Sequence, residues 1–299
     1  MTMRENRGTR YPNRASVIHE LPPINRREVV QRLFGERMIP SGNANPGLVY
    51  ERYLKVWQNA TQLAEKDRAT IIRAFIRDFA ECRPKIEPLL LETNERLDQL
   101  ATERAVFTTQ ERLVCGLGAS HPLENGFTFD YGLGVPYLPG SSVKGCARHY
   151  ARRDLDEATI EVLFGPDEID ETTSNSGKRG DVVFFSAYPE AWPLLDVDVI
   201  NCHQPAYYSS DPIELVQDAE DESRFRPANH AHQNKAIGPA ENESPIPVFF
   251  LTVKPGTTFV FRCAGRSEEN ARVALDLLGN ALREFGIGAK TAIGYGVMG

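Results

Sequence analysis

Two stretches of this 299-residue chain hold residue types that could bind an anion. The first runs Gly134-Val-Pro-Tyr-Leu-Pro-Gly-Ser-Ser-Val-Lys-Gly145 and continues Cys-Ala-Arg148-His-Tyr-Ala-Arg152-Arg153. Pro139-Gly140 makes a turn, and Ser141 or Ser142 is a natural helix N-cap. On a 3.6-residue period Lys144, Arg148 and Arg152 share one stripe, with Val143, Cys146, Ala147 and Tyr150 on the other side. Unbonded N–H groups at the helix start, two hydroxyls and a first-turn lysine suit a phosphate. The second stretch is Gly286-Ile-Gly-Ala-Lys290-Thr-Ala-Ile-Gly294-Tyr-Gly296. Its glycines permit close backbone approach, and Lys290, Thr291 and Tyr295 add a cation, a hydroxyl and a ring that could stack. It lacks the G-x-x-x-x-G-K-[ST] pattern, and its glycines follow a helix, so it is neither a Walker loop nor a dinucleotide fingerprint.

Other constellations are weaker. Ser141-x-x-Lys144 formally matches the acylating Ser-x-x-Lys of penicillin-binding enzymes, with Lys290-Thr291 posing as the Lys-Thr-Gly strand, but Ala292 replaces its Gly. His230 and His232 have only His203 nearby as a third nitrogen ligand, so no metal site is expected. Trp192, Tyr207, Tyr208 and Phe225 either anchor a neighbouring protein, wedge into a duplex, or pack their own segment. The cysteines at 82, 115, 146, 202 and 263 have no C-x-x-C spacing and read as reduced thiols without a disulfide framework.

These residues need elements to position them. Residues 1–27 are rich in Arg, Pro and Asn without periodicity and read as a basic arm. Residues 28–105 read as a helical lobe. Tyr50, Tyr53, Leu54, Trp57 and Ala64 form one apolar face, and Ile71, Ile72, Phe75, Phe79 and Cys82 form another. Asp67 could cap the second helix, and Pro84 with Pro88 should separate it from a third. From residue 106 the texture turns to short strands, at Val106–Thr109, Leu113–Leu117, Val182–Phe185, Val248–Val253 and Thr258–Phe261. One helix runs from Ser141–Ser142 to about Arg153. Another follows Ser267, with Ala271, Ala274, Leu275, Leu278, Leu282 and Phe285 on one stripe, and a last strand is expected from Thr291. The order predicts an α+β, ferredoxin-like (RRM-like, βαββαβ) domain over 106–299, with insertions at about 165–180 and 188–247.

Composition permits this. The chain is 41% hydrophobic and 25% charged, and its apolar-rich run Val248–Val253 is far short of the ~20 residues of a membrane helix. No apolar stretch follows Arg4, Arg7 and Arg10, so no signal peptide is read and a cytoplasmic protein is expected. Net charge is −7, but 18 acidic residues face three basic ones between Asp154 and Arg224. The flanks are correspondingly basic, which leaves room for a groove that meets a polyanion.

Taken together, Pro139-Gly-Ser-Ser-Val-Lys-Gly145 and the C-terminal glycine loop resemble the RAMP superfamily of CRISPR effector proteins. Gly116-Leu-Gly118-Ala-Ser-His121, Leu163-Phe-Gly165, Gly180-Asp-Val-Val-Phe-Phe-Ser-Ala187 and Phe285–Gly296 look like the family of sixth subunits of type III-B Cmr complexes. The resemblance covers roughly 106–299. It implies a non-catalytic backbone subunit that grips the 3′ part of crRNA, meets target RNA and contacts other Cmr subunits, without a cofactor. Carried over residue by residue, Ser141, Ser142, Lys144, Gly145, Lys290, Thr291, Gly294 and Tyr295 would touch RNA. Arg148 and Arg152 join them from the helical stripe alone. Target cleavage in such complexes uses an Asp ahead of the Pro-Gly-Ser-Ser string. Here that loop offers Glu124 and Asp130, neither of which is assigned to that Asp, and Asp130 reads as a turn cap. A RAMP-type endoribonuclease is the alternative reading, followed by the serine acyltransferase.

Overall fold

The computed structural model describes residues 37–39, 44–54, 68–119, 121–166, 179–202, 215–217, 225–227 and 246–299. The arm at 1–27, Trp57, Ala64, Asp67, Tyr207, Tyr208, His203, His230 and His232 lie outside them. In chain order the elements are helices α1 (Arg68–Glu81) and α2 (Arg83–Leu100), strand β1 (Glu103–Thr108), and helices α3 (Gly140–Asp154) and α4 (Glu157–Phe164). Strands β2 (Val182–Phe184), β3 (Tyr188–Pro189), β4 (Leu195–Cys202), β5 (Leu215–Gln217), β6 (Phe225–Pro227), β7 (Ile246–Val253) and β8 (Thr258–Gly265) follow, then helix α5 (Glu268–Glu284). A short helical turn at Pro46–Leu48 runs into a π turn at Val49–Tyr53 ahead of α1.

Helix α1 buries Ala69, Ile71, Ile72, Phe75 and Phe79 on the stripe its periodicity predicts. The break before α2 falls at Cys82, ahead of both prolines, and Pro88 lies inside the helix. Pro84 sits in the first turn, where a missing N–H costs nothing because that turn has no intrahelical acceptor for it.

Strand β8 is the centre of the main sheet. It pairs antiparallel with β1 on one side and with β2 and β3 on the other, so β2 and β3 are two pieces of one edge. Beyond β1, Met298 makes a single bridge to Thr109. Alternate β8 residues face opposite ways. Phe261 meets Phe107 edge-on at 5.8 Å, and Cys263 Sγ lies 3.3 Å from Ala271 O, so this face packs on α5. The other face carries Val260 and Arg262, and there α2 crosses the sheet. Arg262 is wholly buried: its Nε donates to Asp98 (2.6 Å), Nη1 to the Asn94 side chain (3.0 Å) and Nη2 to Asn94 O (3.1 Å). Asn94 donates in turn to Pro189 O at 2.9 Å.

A second ribbon pairs β4 with β7 over eight residues. Strand β4 lies in the segment expected to be an insertion. Helix α4 was also not anticipated; Asp156 caps it by accepting from Thr159 N at 2.9 Å. The strand expected at Leu113–Leu117 reduces to one bridge between Leu113 and Val253. The last strand expected from Thr291 is a 3-10 turn, Thr291–Ile293, because Gly294 (φ 96°) and Gly296 (φ 73°) turn the backbone out of the extended region. Among the described residues no helix is long and apolar enough to cross a membrane.

Candidate functional site

Helix α3 starts differently from its sequence reading. Pro139 is the N-cap and makes no side-chain capping bond, while Gly140 N donates to Ser186 Oγ at 3.3 Å. Gly140 lies so close to Phe184 O that a Cβ would collide with it. Ser141 and Ser142 therefore fall inside the first turn, exposed, with hydroxyls that no capping bond consumes. Val143, Ala147, Tyr150 and Ala151 are buried.

The glycine loop leaves α5 at Phe285 and is pinned along both limbs. Ile287 N donates to Gly296 O (3.0 Å), Ala289 N to Val114 O (2.7 Å) and Gly296 N to Arg112 O (2.8 Å). Gly288 (φ 98°) lies against Val114 O, where a Cβ would collide. The loop thus lies along Arg112–Val114, and the following Gly116-Leu117-Gly118 turn comes beside it.

Between this loop, that turn and the start of α3 opens a cleft of about 890 Å³. Pro139, Ser142, Cys146 and His149 line one wall, Gly116–Gly118 and Thr128 another, and Phe285–Ala289, Thr291 and Ala292 a third. Burial pushes the Cys115 thiol up to about 12 and the Cys146 thiol up to about 11, so both stay protonated and non-nucleophilic near neutral pH. Glu284 is tied to the Arg153 guanidinium at 2.6 Å and to the Tyr150 hydroxyl at 2.8 Å, which hold its carboxyl below the usual range.

The candidate residues divide. Ser142 and Thr291 line the cleft, and Lys290, Gly294 and Tyr295 lie in the adjoining turn. Ser142, Cys146 and His149 share one helical stripe, and Lys144 falls roughly opposite it at about 100° per residue. Lys144 and the exposed Gly145 are outside the cleft wall, and Lys144 makes no ion pair among the described residues. Arg148 is turned away: its side chain is 12% exposed, Nη1 reaches Pro166 O at 3.4 Å, and Nη2 lies 4.0 Å from Glu157. Arg152 is exposed near the end of the helix. The cationic stripe of the sequence is thus split, and among the described residues no lysine or arginine lines the cleft. Tyr295 sends its hydroxyl to Asp198 at 2.6 Å, and its ring packs beside Phe250.

Sequence reasoning did not count Gly116–Gly118, His149, Phe250 or Asp198 among the site residues. The Gly-Leu-Gly turn was visible as a motif; Asp198 was not, since it meets the loop only through β4. Asp130 is a turn cap, accepting from Gly132 N (2.9 Å), Leu133 N (2.7 Å) and the Tyr188 hydroxyl (2.9 Å). Glu124 pairs with Arg68. Trp192 stacks on Phe79 at 4.5 Å, which ties its segment to α1.

Comparison with known proteins gives the family. Residues 106–298 match the model of the RAMP superfamily. The CRISPR system Cmr subunit Cmr6 of Pyrococcus furiosus is 31% identical over 255 residues, covering 68% of this chain and 69% of that protein. Its namesake in Saccharolobus solfataricus is 25% identical over 260 residues, covering 84% and 78%. A chain in a cryo-EM structure of the type III-B Cmr-beta complex bound to cognate target RNA shares the fold, with a TM-score of 0.51 and 19% identity over 92% of this chain and 96% of that one. A family match over residues 106–298 and a relative 31% identical over 68% of the chain make this protein a member of the RAMP superfamily and, within it, of the Cmr6 family.

Proposed function

We propose that this chain is a non-catalytic backbone subunit of a type III-B CRISPR effector, gripping the 3′ part of crRNA and contacting neighbouring Cmr subunits and target RNA. The observation that carries this is the convergence of three separate motifs, Gly116–Gly118, Pro139–Ser142 and the glycine loop, around one cleft. Lys290 and Lys144 lie outside its wall, where they can meet phosphates. Contacts of this kind go to the backbone and accept any spacer sequence. The observed order, Met298 beside β1, then β8, then β2, supports a ferredoxin-like reading in which the fourth strand has shrunk to a bridge. The α2 helix across one sheet face leaves RNA the loop side. Asp130 spends its carboxylate on a turn and Glu124 on Arg68, which supports a binding role over a ribonuclease one. A cytoplasmic location fits a partner of this class.

The test is to recover the tagged chain from its native host, sequence the RNA that comes with it and identify the bound proteins. Short RNAs that share a repeat-derived 5′ tag and differ in spacer, together with other RAMP subunits, are expected. A clean monomer without RNA would overturn the reading.

A further inference from the structure

Lysine side chains are flexible, and ordering one at an interface costs affinity. Lys290 is already ordered. Its backbone is left-handed (φ 64°), and its carbonyl accepts from Ile293 N (3.1 Å) and Tyr295 N (3.4 Å). Its ammonium lies 5.8 Å from the centroid of Phe250 and 5.9 Å from that of Tyr295, within reach of both ring faces. Among the described residues no carboxylate comes within ion-pair distance of it, so its charge remains available to an outside anion.

The Tyr295 ring owes its orientation to Asp198. The hydroxyl donates to Asp198 Oδ2 at 2.6 Å, while Oδ1 accepts from Val199 N at 2.8 Å. Arg112 braces the same group, with Nε 3.4 Å from Asp198 and Nη2 3.3 Å from Asp196. Burial and the nearby Asp198 push the Tyr295 hydroxyl up to about 12, so it remains a donor. We propose that Tyr295 and Asp198 are positioning residues that hold the Lys290 ammonium as a fixed cation for a phosphodiester of the guide strand. This rests on the RNA-binding reading above. It gives Tyr295 a role through Lys290, with its ring committed to the cation and its hydroxyl to β4, in place of stacking on a base.

The experiment measures labelled guide RNA binding by the full chain in its assembled complex. The variants are Tyr295→Phe, Tyr295→Ala, Asp198→Asn and Lys290→Ala, plus Tyr295→Phe in the Lys290→Ala background. Tyr295→Phe keeps the ring and removes the anchor, and it should weaken binding by about threefold to tenfold. Asp198→Asn keeps an acceptor for the hydroxyl and should lose less. In the Lys290→Ala background Tyr295→Phe should cost nothing more, because the two act as one unit. Lys290→Ala should also lower the slope of log affinity against log salt by about 0.7, one phosphate contact on a single strand. An equal loss in both backgrounds would reduce Tyr295 to a structural residue and overturn the proposal. So would a Tyr295→Phe variant that binds normally while Tyr295→Ala fails, which would mark a stacked base. An unmodified complex that holds no guide overturns the RNA-binding reading itself, and the proposal with it.

Discussion

Arg262 is a charge withdrawn wholly from water, and its three donor contacts lie on one helix 164 to 168 residues away in sequence. Asn94→Leu keeps the volume, strands the Nη1 nitrogen of Arg262 and takes the amide donor from Pro189 O, while Nη2 keeps its backbone acceptor. We expect it to cost about 3 kcal/mol in urea unfolding, and Asp98→Asn to cost less because Asp98 is 40% exposed. His121 makes a second buried tie. Its Nδ1 accepts from Leu123 N (3.1 Å), so Nε2 carries the proton and donates to Tyr50 O (2.9 Å), with the ring stacked on Tyr50 at 4.6 Å. Burial holds its pKa below the ordinary 6.5. The folded state therefore resists protonation that the unfolded state accepts. Its stabilising contribution is complete above about pH 6.5 and falls as pH drops towards the folded value. Urea midpoints at pH 7, 6 and 5 should show that slope, and His121→Gln should flatten it. Neither tie was legible in the sequence, because each depends on a partner brought in by the fold.

At the level of elements the glycine-rich segments were the most legible, since spacing and turn chemistry are local. The α1 and α5 stripes were legible for the same reason. The cationic stripe of α3 was not, because the unanticipated α4 and the residue after its C-cap claim Arg148 through Glu157 and Pro166 O. The strand expected from Thr291 fell to two left-handed glycines. Gly145 offers a sharp test of what α3 faces. It is exposed inside a helix, and nothing lies within 4 Å of where a Cβ would stand. Gly145→Ala should raise stability by about 0.5–1 kcal/mol in thermal unfolding. If a nucleic-acid backbone runs over that turn, the same variant should retain less guide; a gain in stability with full retention would move the RNA off that surface.

Across the whole molecule, charge is partitioned rather than balanced: 18 acidic against three basic residues between Asp154 and Arg224, in a chain of net charge −7. The cations of the proposed RNA face are few, so the salt slope of binding should be shallow and the binding indifferent to sequence. Lys144→Ala should weaken retention of unrelated spacers alike, read by competition between guides; losses that track one spacer would refute a backbone contact. The fold class was legible as mixed α and β, while the β4–β7 ribbon was not, because its first strand carries Asp196, Asp198 and Asn201 among its valines and reads as loop. The pairing of β1 with β8 sets a clock on synthesis. Thr108 meets Thr258, 150 residues later. At ~5–20 residues per second the ribosome takes about 8–30 s to supply β8 once β1 has emerged. Through that interval α1, α2 and β1 wait beside a sheet centre that has not yet been made, so the main sheet can close only after β8 has left the ribosome.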